Sequence, residues 1–83
     1  MTSKDDKFYA FYDENKVLIA LSQVKGRALK ILFKSAREKG ITFSLYKKSL
    51  IKDLYQKEST ERLNRVLDGQ FTARIYTRDE LGE

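Results

Sequence analysis

Arg27, Lys30, Lys34 and Arg37 are spaced three, four and three residues apart within a segment of helical pattern. At about 100° per residue they share one arc of a helix. Cations so arranged can neutralise phosphates of a nucleic acid or meet the carboxylates of an acidic protein surface. Lys47, Lys48 and Lys52 extend the same field if a second helix packs alongside. The charge distribution favours a working surface. Residues 23–57 hold ten basic and two acidic side chains, net +8, whereas residues 1–22 sum to −1 and residues 58–83 to −2. A charge kept for solubility is more often spread evenly. The ordinary alternative is a solvated helix face, because Lys and Arg are good helix formers.

A second candidate surface comes from the end of the chain. "QFTARIYTR" alternates, with Phe71, Ala73 and Ile75 on one side and Thr72, Arg74, Tyr76 and Arg78 on the other. That pattern describes a half-buried strand with a basic outer face. Near the start, "KFYAFY" puts aromatics at both parities, Tyr9 with Phe11 and Phe8 with Tyr12. With Tyr9 and Phe11 outward beside Tyr76, the sheet offers rings on which bases stack, flanked by Arg74 and Arg78. The alternative use of these rings is to cover a thin core or meet a partner subunit.

Catalytic chemistry has little to work with. The chain has no histidine and no cysteine, which removes the common triads, thiol mechanisms and usual zinc sites. Ser22 with Lys25 and Ser44 with Lys47 match an S-x-x-K spacing, but both serines stand where helix N-caps are wanted. Asp5–Asp6, Asp13–Glu14 and Asp79–Glu80 fall in a tail, a turn and a terminus, without the apolar setting that raises a carboxyl pKa. No phosphate-loop pattern surrounds Gly26. The expectation is a non-enzymatic protein without metal or cofactor.

The elements that must position these residues follow from periodicity and turn signals. Residues 7–12 and 17–21 read as strands joined by the turn "DENK", although "VLIALSQV" can also be read as the start of the following helix. Residues 23–39 are helical, with Ser22 as N-cap and Gly40 as stop. Residues 45–57 form a second helix capped by Ser44. The apolar patch of Leu63, Val66 and Leu67 is out of phase with that of Leu50, Ile51, Leu54 and Tyr55, so a break near residues 57–60 begins a third helix. Ser59 or Thr60 caps it and Gly69 ends it. A strand over residues 70–78 closes the chain, with Thr77 and Glu80 matching a capping box. Residues 1–6 are expected to form a loose tail and residues 79–83 to fray. A helix-turn-helix around Gly40 fits less well, since Lys39 and Ser49 stand where apolar residues belong and the turn is long.

The fold expected is a single small α+β domain: a β-hairpin, two or three helices, and a C-terminal strand completing an antiparallel sheet with helices on one face. At 83 residues, such a domain buries only about 60% of its unfolded surface. A homodimer through an open sheet edge or the aromatic face would add stability. The longest apolar run, Val17 to Leu21, is too short for a membrane span, and no secretory h-region is visible. With no cysteine, a cytoplasmic location is expected. The partner expected is nucleic acid, DNA or RNA. The competing reading is a small inhibitor or adaptor, of a kind that a virus or mobile element encodes, docking on an acidic protein surface.

Overall fold

The computed structural model describes residues 6–81. Strand β1 (Lys7–Asp13) and strand β2 (Leu18–Ser22) form an antiparallel hairpin. Helices α1 (Lys25–Glu38), α2 (Leu45–Gln56) and α3 (Thr60–Leu67) follow, and strand β3 (Phe71–Thr77) returns to pair antiparallel with β1. The sheet order is β2-β1-β3. The protein is thus a small α+β domain with an open three-stranded sheet, as its pattern implies. "VLIAL" belongs to the sheet, not to the helix.

Asp13 organises the hairpin turn. Its carboxylate accepts the N–H groups of Asn15 at 2.8 Å and Val17 at 3.0 Å. Lys16 takes a left-handed φ of 64°, the position at which a three-residue loop usually carries glycine. The Val17 N–H above all, then the Asn15 N–H and Lys39, holds the Asp13 carboxyl below its ordinary range. Beyond the turn, Tyr12 faces Leu18 while Phe11 faces Ala20, so Ile19 is an extra residue. Such a bulge bends its strand. Ile19 packs against the core, and Leu18 is left exposed.

Helix α1 begins later than the pattern suggests. Ser22 is still in the ladder, opposite Tyr9, and its hydroxyl accepts the Val24 N–H at 3.0 Å. It therefore does not cap α1, whose N-cap position is Val24 without a side-chain bond. The other end is as read. Gly40 has φ 77°, its N–H reaches the Arg37 carbonyl, and the Ile41 N–H reaches the Ala36 carbonyl at 2.8 Å. These are the paired bonds of a Schellman stop. Ser44 caps α2 by accepting the Lys47 N–H at 3.1 Å.

The break between α2 and α3 uses the same pair of bonds without a glycine. Glu58 bonds to the Tyr55 carbonyl and Ser59 to that of Leu54, with Glu58 at φ 58°. A non-glycine residue costs about 1–2 kcal/mol there, and its side chain supplies a compensation. The Glu58 carboxylate meets Lys7 Nζ at 2.6 Å, Lys25 Nζ at 3.2 Å and the Tyr9 hydroxyl at 3.0 Å. Lys7 foremost, then Lys25 and Tyr9, lowers its pKa to about 2. One residue thereby ties β1, α1 and the α2–α3 corner together. Ser59 occupies the N-cap position of α3 but makes no capping bond, and Asp68 and Gly69 end the helix in left-handed backbone.

The core lies between the sheet and the helices. Tyr55, Phe11, Phe71, Leu32, Ile51, Leu63 and Leu67 are fully buried. Burial of side chains this size contributes about 1.5–3 kcal/mol each. Tyr9 and Phe11 belong to this core, with ring centroids 5.5 and 5.2 Å from that of Tyr55. They do not face outward. The register decides the parity: Tyr9 stands opposite Ile75 and Phe11 opposite Ala73, on the helix-covered face. Helix α3 docks through Asn64, whose amide receives the Ala73 N–H at 2.6 Å and donates to the Ala73 carbonyl at 3.2 Å.

Residues 79–81 form one 3-10 turn. Thr77 and Glu80 exchange the two bonds of a capping box, at 2.8 and 3.4 Å. Asp6 is ion-paired with Arg78 at 2.8 Å. Residues 1–5 of the expected tail and 82–83 of the expected frayed end lie outside the described residues. Among the described residues, no helix is long and apolar enough to cross a membrane.

Candidate nucleic-acid interface

Helix α1 faces the core with Ala28, Leu32 and Ala36. On a wheel of about 100° per residue, Arg27, Lys30, Lys34 and Arg37 centre roughly 180° away. All four are exposed, as are Lys48 and Lys52 on α2. Lys47 is half-buried, its ammonium 5.5 Å from the Phe43 ring centre. From Arg27 to Arg37 the arc runs about 15 Å along the helix axis.

The two helices bring their cations together. Lys25 Nζ donates to the Gln56 carbonyl at one end of the pair. Phe33 and Phe43 meet edge-on at 6.0 Å toward the other. Between them lies a groove of about 400 Å³, floored by Leu29 and Phe33 and bordered by Lys30 and Lys52. The Lys48 ammonium stands 6.0 Å from the Phe33 ring centre. Lys34 sits on the other flank of α1, beside Ile19, Ile31 and Glu38. The sequence-derived cations therefore form one exposed ridge on α1 with a continuation onto α2.

Ion pairing is distributed unevenly. Lys7, Lys25, Lys39, Lys57, Arg65 and Arg78 are paired with carboxylates. Among the described residues, Arg27, Lys30, Lys34, Arg37, Lys48 and Lys52 have no such partner, and neither do Lys47 at the rim or Lys16, Arg62 and Arg74 elsewhere. Lys25 and Lys39 belong to the same basic block of sequence, yet one is held by Glu58 and the other reaches Asp13 at 3.7 Å. They are structural, whereas the exposed arc keeps its charge available.

The sheet candidates divide. Arg74, Tyr76 and Arg78 face outward as read, but the aromatics beside them are Phe8 and Tyr12, not Tyr9 and Phe11. Phe8 pairs with Tyr76 and Tyr12 with Thr72 across β1 and β3. The available signal was at the ends of β1. Lys7 and Asp13 share the parity of Tyr9 and Phe11 and look solvent-facing, but Glu58 and Lys39 pair with them at the sheet margins.

The S-x-x-K serines do not engage their lysines. Ser22 and Ser44 accept backbone N–H groups, while Lys25 bonds to Glu58 and Gln56 and Lys47 lies over Phe43. No cluster of three or more potential metal-ligating residues occurs among the described residues. No family model matches the chain, and no curated protein or solved structure matches it.

Proposed function

We propose that this protein binds nucleic acid without catalysing a reaction, through the ridge of Arg27, Lys30, Lys34 and Arg37 with Lys48 and Lys52 beside it. Lys47 lends charge from the rim. The observation that supports the reading most is the concentration of six exposed cations that lack carboxylate partners among the described residues. Only Glu38 and Asp53 interrupt the ten basic side chains of residues 23–57, whereas a surface evolved only for solubility more often mixes the two signs. Phosphate contacts release counterions, so affinity falls steeply as salt rises. The decisive variant is Arg27→Glu/Lys30→Glu/Lys34→Glu. All three side chains are exposed, so the fold should persist by circular dichroism while binding to duplex oligonucleotides is lost. A folded triple variant that binds duplex as wild type removes the assignment.

One observation favours a second reading. Leu45 and Tyr46, at the start of α2, are 85% and 78% exposed beside Lys47 and Lys48. Aromatic and aliphatic anchors ringed by cations suit an acidic protein surface. In that case, oligonucleotides fail to bind even at low salt, and Tyr46→Ala weakens capture by the acidic partner.

A further inference from the structure

The outer face of the sheet is not covered by any of the three helices, and it is not simply polar. Phe8, Ala10 and Tyr12 of β1 lie there with Thr72, Arg74 and Tyr76 of β3, and with Leu18 and Leu21 of β2. The rings are held in place. The Tyr12 and Tyr76 hydroxyls are 2.7 Å apart. The Arg74 guanidinium lies 5.4 Å from the centre of the Tyr76 ring, and Arg78, tied to Asp6, lies 5.7 Å from that of Phe8. A hollow of about 260 Å³ opens among Tyr12, Lys16, Thr72, Arg74 and Tyr76.

The lining has a consistent chemistry: two phenol rings, one hydroxyl, two cations and no carboxylate. Neither Lys16 nor Arg74 is ion-paired among the described residues. Glu80 lies within the field of Arg74, but its carboxylate is occupied by the Thr77 N–H. The hollow is smaller than the roughly 300–1,000 Å³ of sites for drug-sized ligands. It suits one flat base more than a whole cofactor. Phe8 and Tyr12 are four residues apart on one strand face, about 13 Å by strand geometry, with Tyr76 beside them. A row of rings matches successive bases better than a lone nucleotide.

We infer that this face is a second binding site, which takes the unpaired bases of a single-stranded nucleic acid on Tyr12, Tyr76 and Phe8 and its phosphates on Lys16 and Arg74. Base–aromatic stacking with neighbouring cations is the general means by which single strands are held with little sequence preference. Duplex bases are already stacked and present no free faces to such a row. The site rests on the nucleic-acid reading for the class of polymer only. It lies on the opposite side of the sheet from α1, so each surface can fail without the other. Charge complementarity argues against a second copy centred on this half of the face, because a two-fold axis through the hollow would bring Arg74 and Lys16 against the same cations with no carboxylate to meet them. Leu18 and Leu21 favour self-association instead.

The test starts from the Arg27→Glu/Lys30→Glu/Lys34→Glu background, in which the helical ridge is silenced. Fluorescein-labelled dT10 and rU10 are titrated by anisotropy, and amide shifts are mapped by NMR. Residual single-strand binding is expected, with shifts at Tyr12, Thr72, Arg74 and Tyr76 and none from duplex DNA. Adding Lys16→Asn/Arg74→Ser should weaken it on the order of tenfold or more. Both side chains are exposed, and asparagine tolerates the left-handed backbone at position 16. Tyr12→Leu/Tyr76→Leu should weaken it similarly while leaving duplex binding by the otherwise wild-type protein unchanged. The inference is overturned if wild-type shifts from dT10 are confined to α1 and α2 and Lys16→Asn/Arg74→Ser has no effect. It is equally overturned if sedimentation shows a dimer that buries this face and that single strands do not dissociate.

Discussion

Glu58→Gln removes one charge from a carboxylate that three side chains share. In the folded protein the Glu58 pKa is about 2, against an ordinary 4.5. Each pKa unit corresponds to about 1.4 kcal/mol, so the fall from 4.5 to about 2 sets an upper bound of about 3.5 kcal/mol. The Glu58 side chain is 27% exposed and that of Lys7 42%. Solvent screening of such pairs reduces the contribution to about 1–2 kcal/mol. Because the folded pKa is depressed, the contribution is complete above pH 4.5 and is lost as pH falls toward 2. Thermal unfolding followed by circular dichroism should therefore show the variant melting about 4–8 °C lower for each kcal/mol at neutral pH. The gap should close to a few tenths of a kcal/mol near pH 2. Glu58→Gly loses the same pairs but relieves about 1–2 kcal/mol of left-handed strain, offset in part by about 0.4–1 kcal/mol of added freedom in the unfolded chain, so it should melt between the two. Equal melting of Glu58→Gln and wild type at neutral pH refutes the reasoning. So does a deficit that persists undiminished at pH 2.

Further outcomes follow from particular contacts. The Tyr55 hydroxyl is buried without a hydrogen-bond partner among the described residues, and burial raises its pKa. Tyr55→Phe should leave stability unchanged or raise it by about 1 kcal/mol in urea unfolding, since it deletes an unsatisfied group. Asn64→Ala abandons both backbone groups of Ala73 and should cost about 1–3 kcal/mol, with faster amide exchange in β3. Leu32→Ala opens a cavity under α1 and should cost about 2–5 kcal/mol by chemical denaturation.

Local signals in the sequence were read well where one residue settles the matter. Gly40 stops α1, Ser44 caps α2, and the phase shift between Leu54 and Leu63 requires the break that Glu58 makes. The last strand was legible because its alternation has only one apolar side. The first was not, because aromatics occupy both parities and only pairing with Ile75 and Ala73 chooses between them. Ser22 misled for a related reason: a serine that ends a strand and one that caps a helix look alike, and here the strand runs on through it. Of the basic candidates, helical spacing found the exposed arc. It could not show that Lys30 and Lys52 border one groove, which depends on how α1 and α2 cross. Nor could it find the Glu58 junction, whose partners Lys7 and Lys25 lie far away in the chain.

The most direct test of the basic ridge is the salt dependence of oligonucleotide binding. Duplex DNA should bind at low salt, with log K falling against log salt at a slope of about −4.5 to −5.5 if five to six phosphates are neutralised. Replacing Arg27, Lys30 and Lys34 with glutamine should reduce that slope by about 2–3. No binding at low salt, or binding that salt and these three substitutions leave unchanged, would contradict the assignment of this surface to nucleic acid.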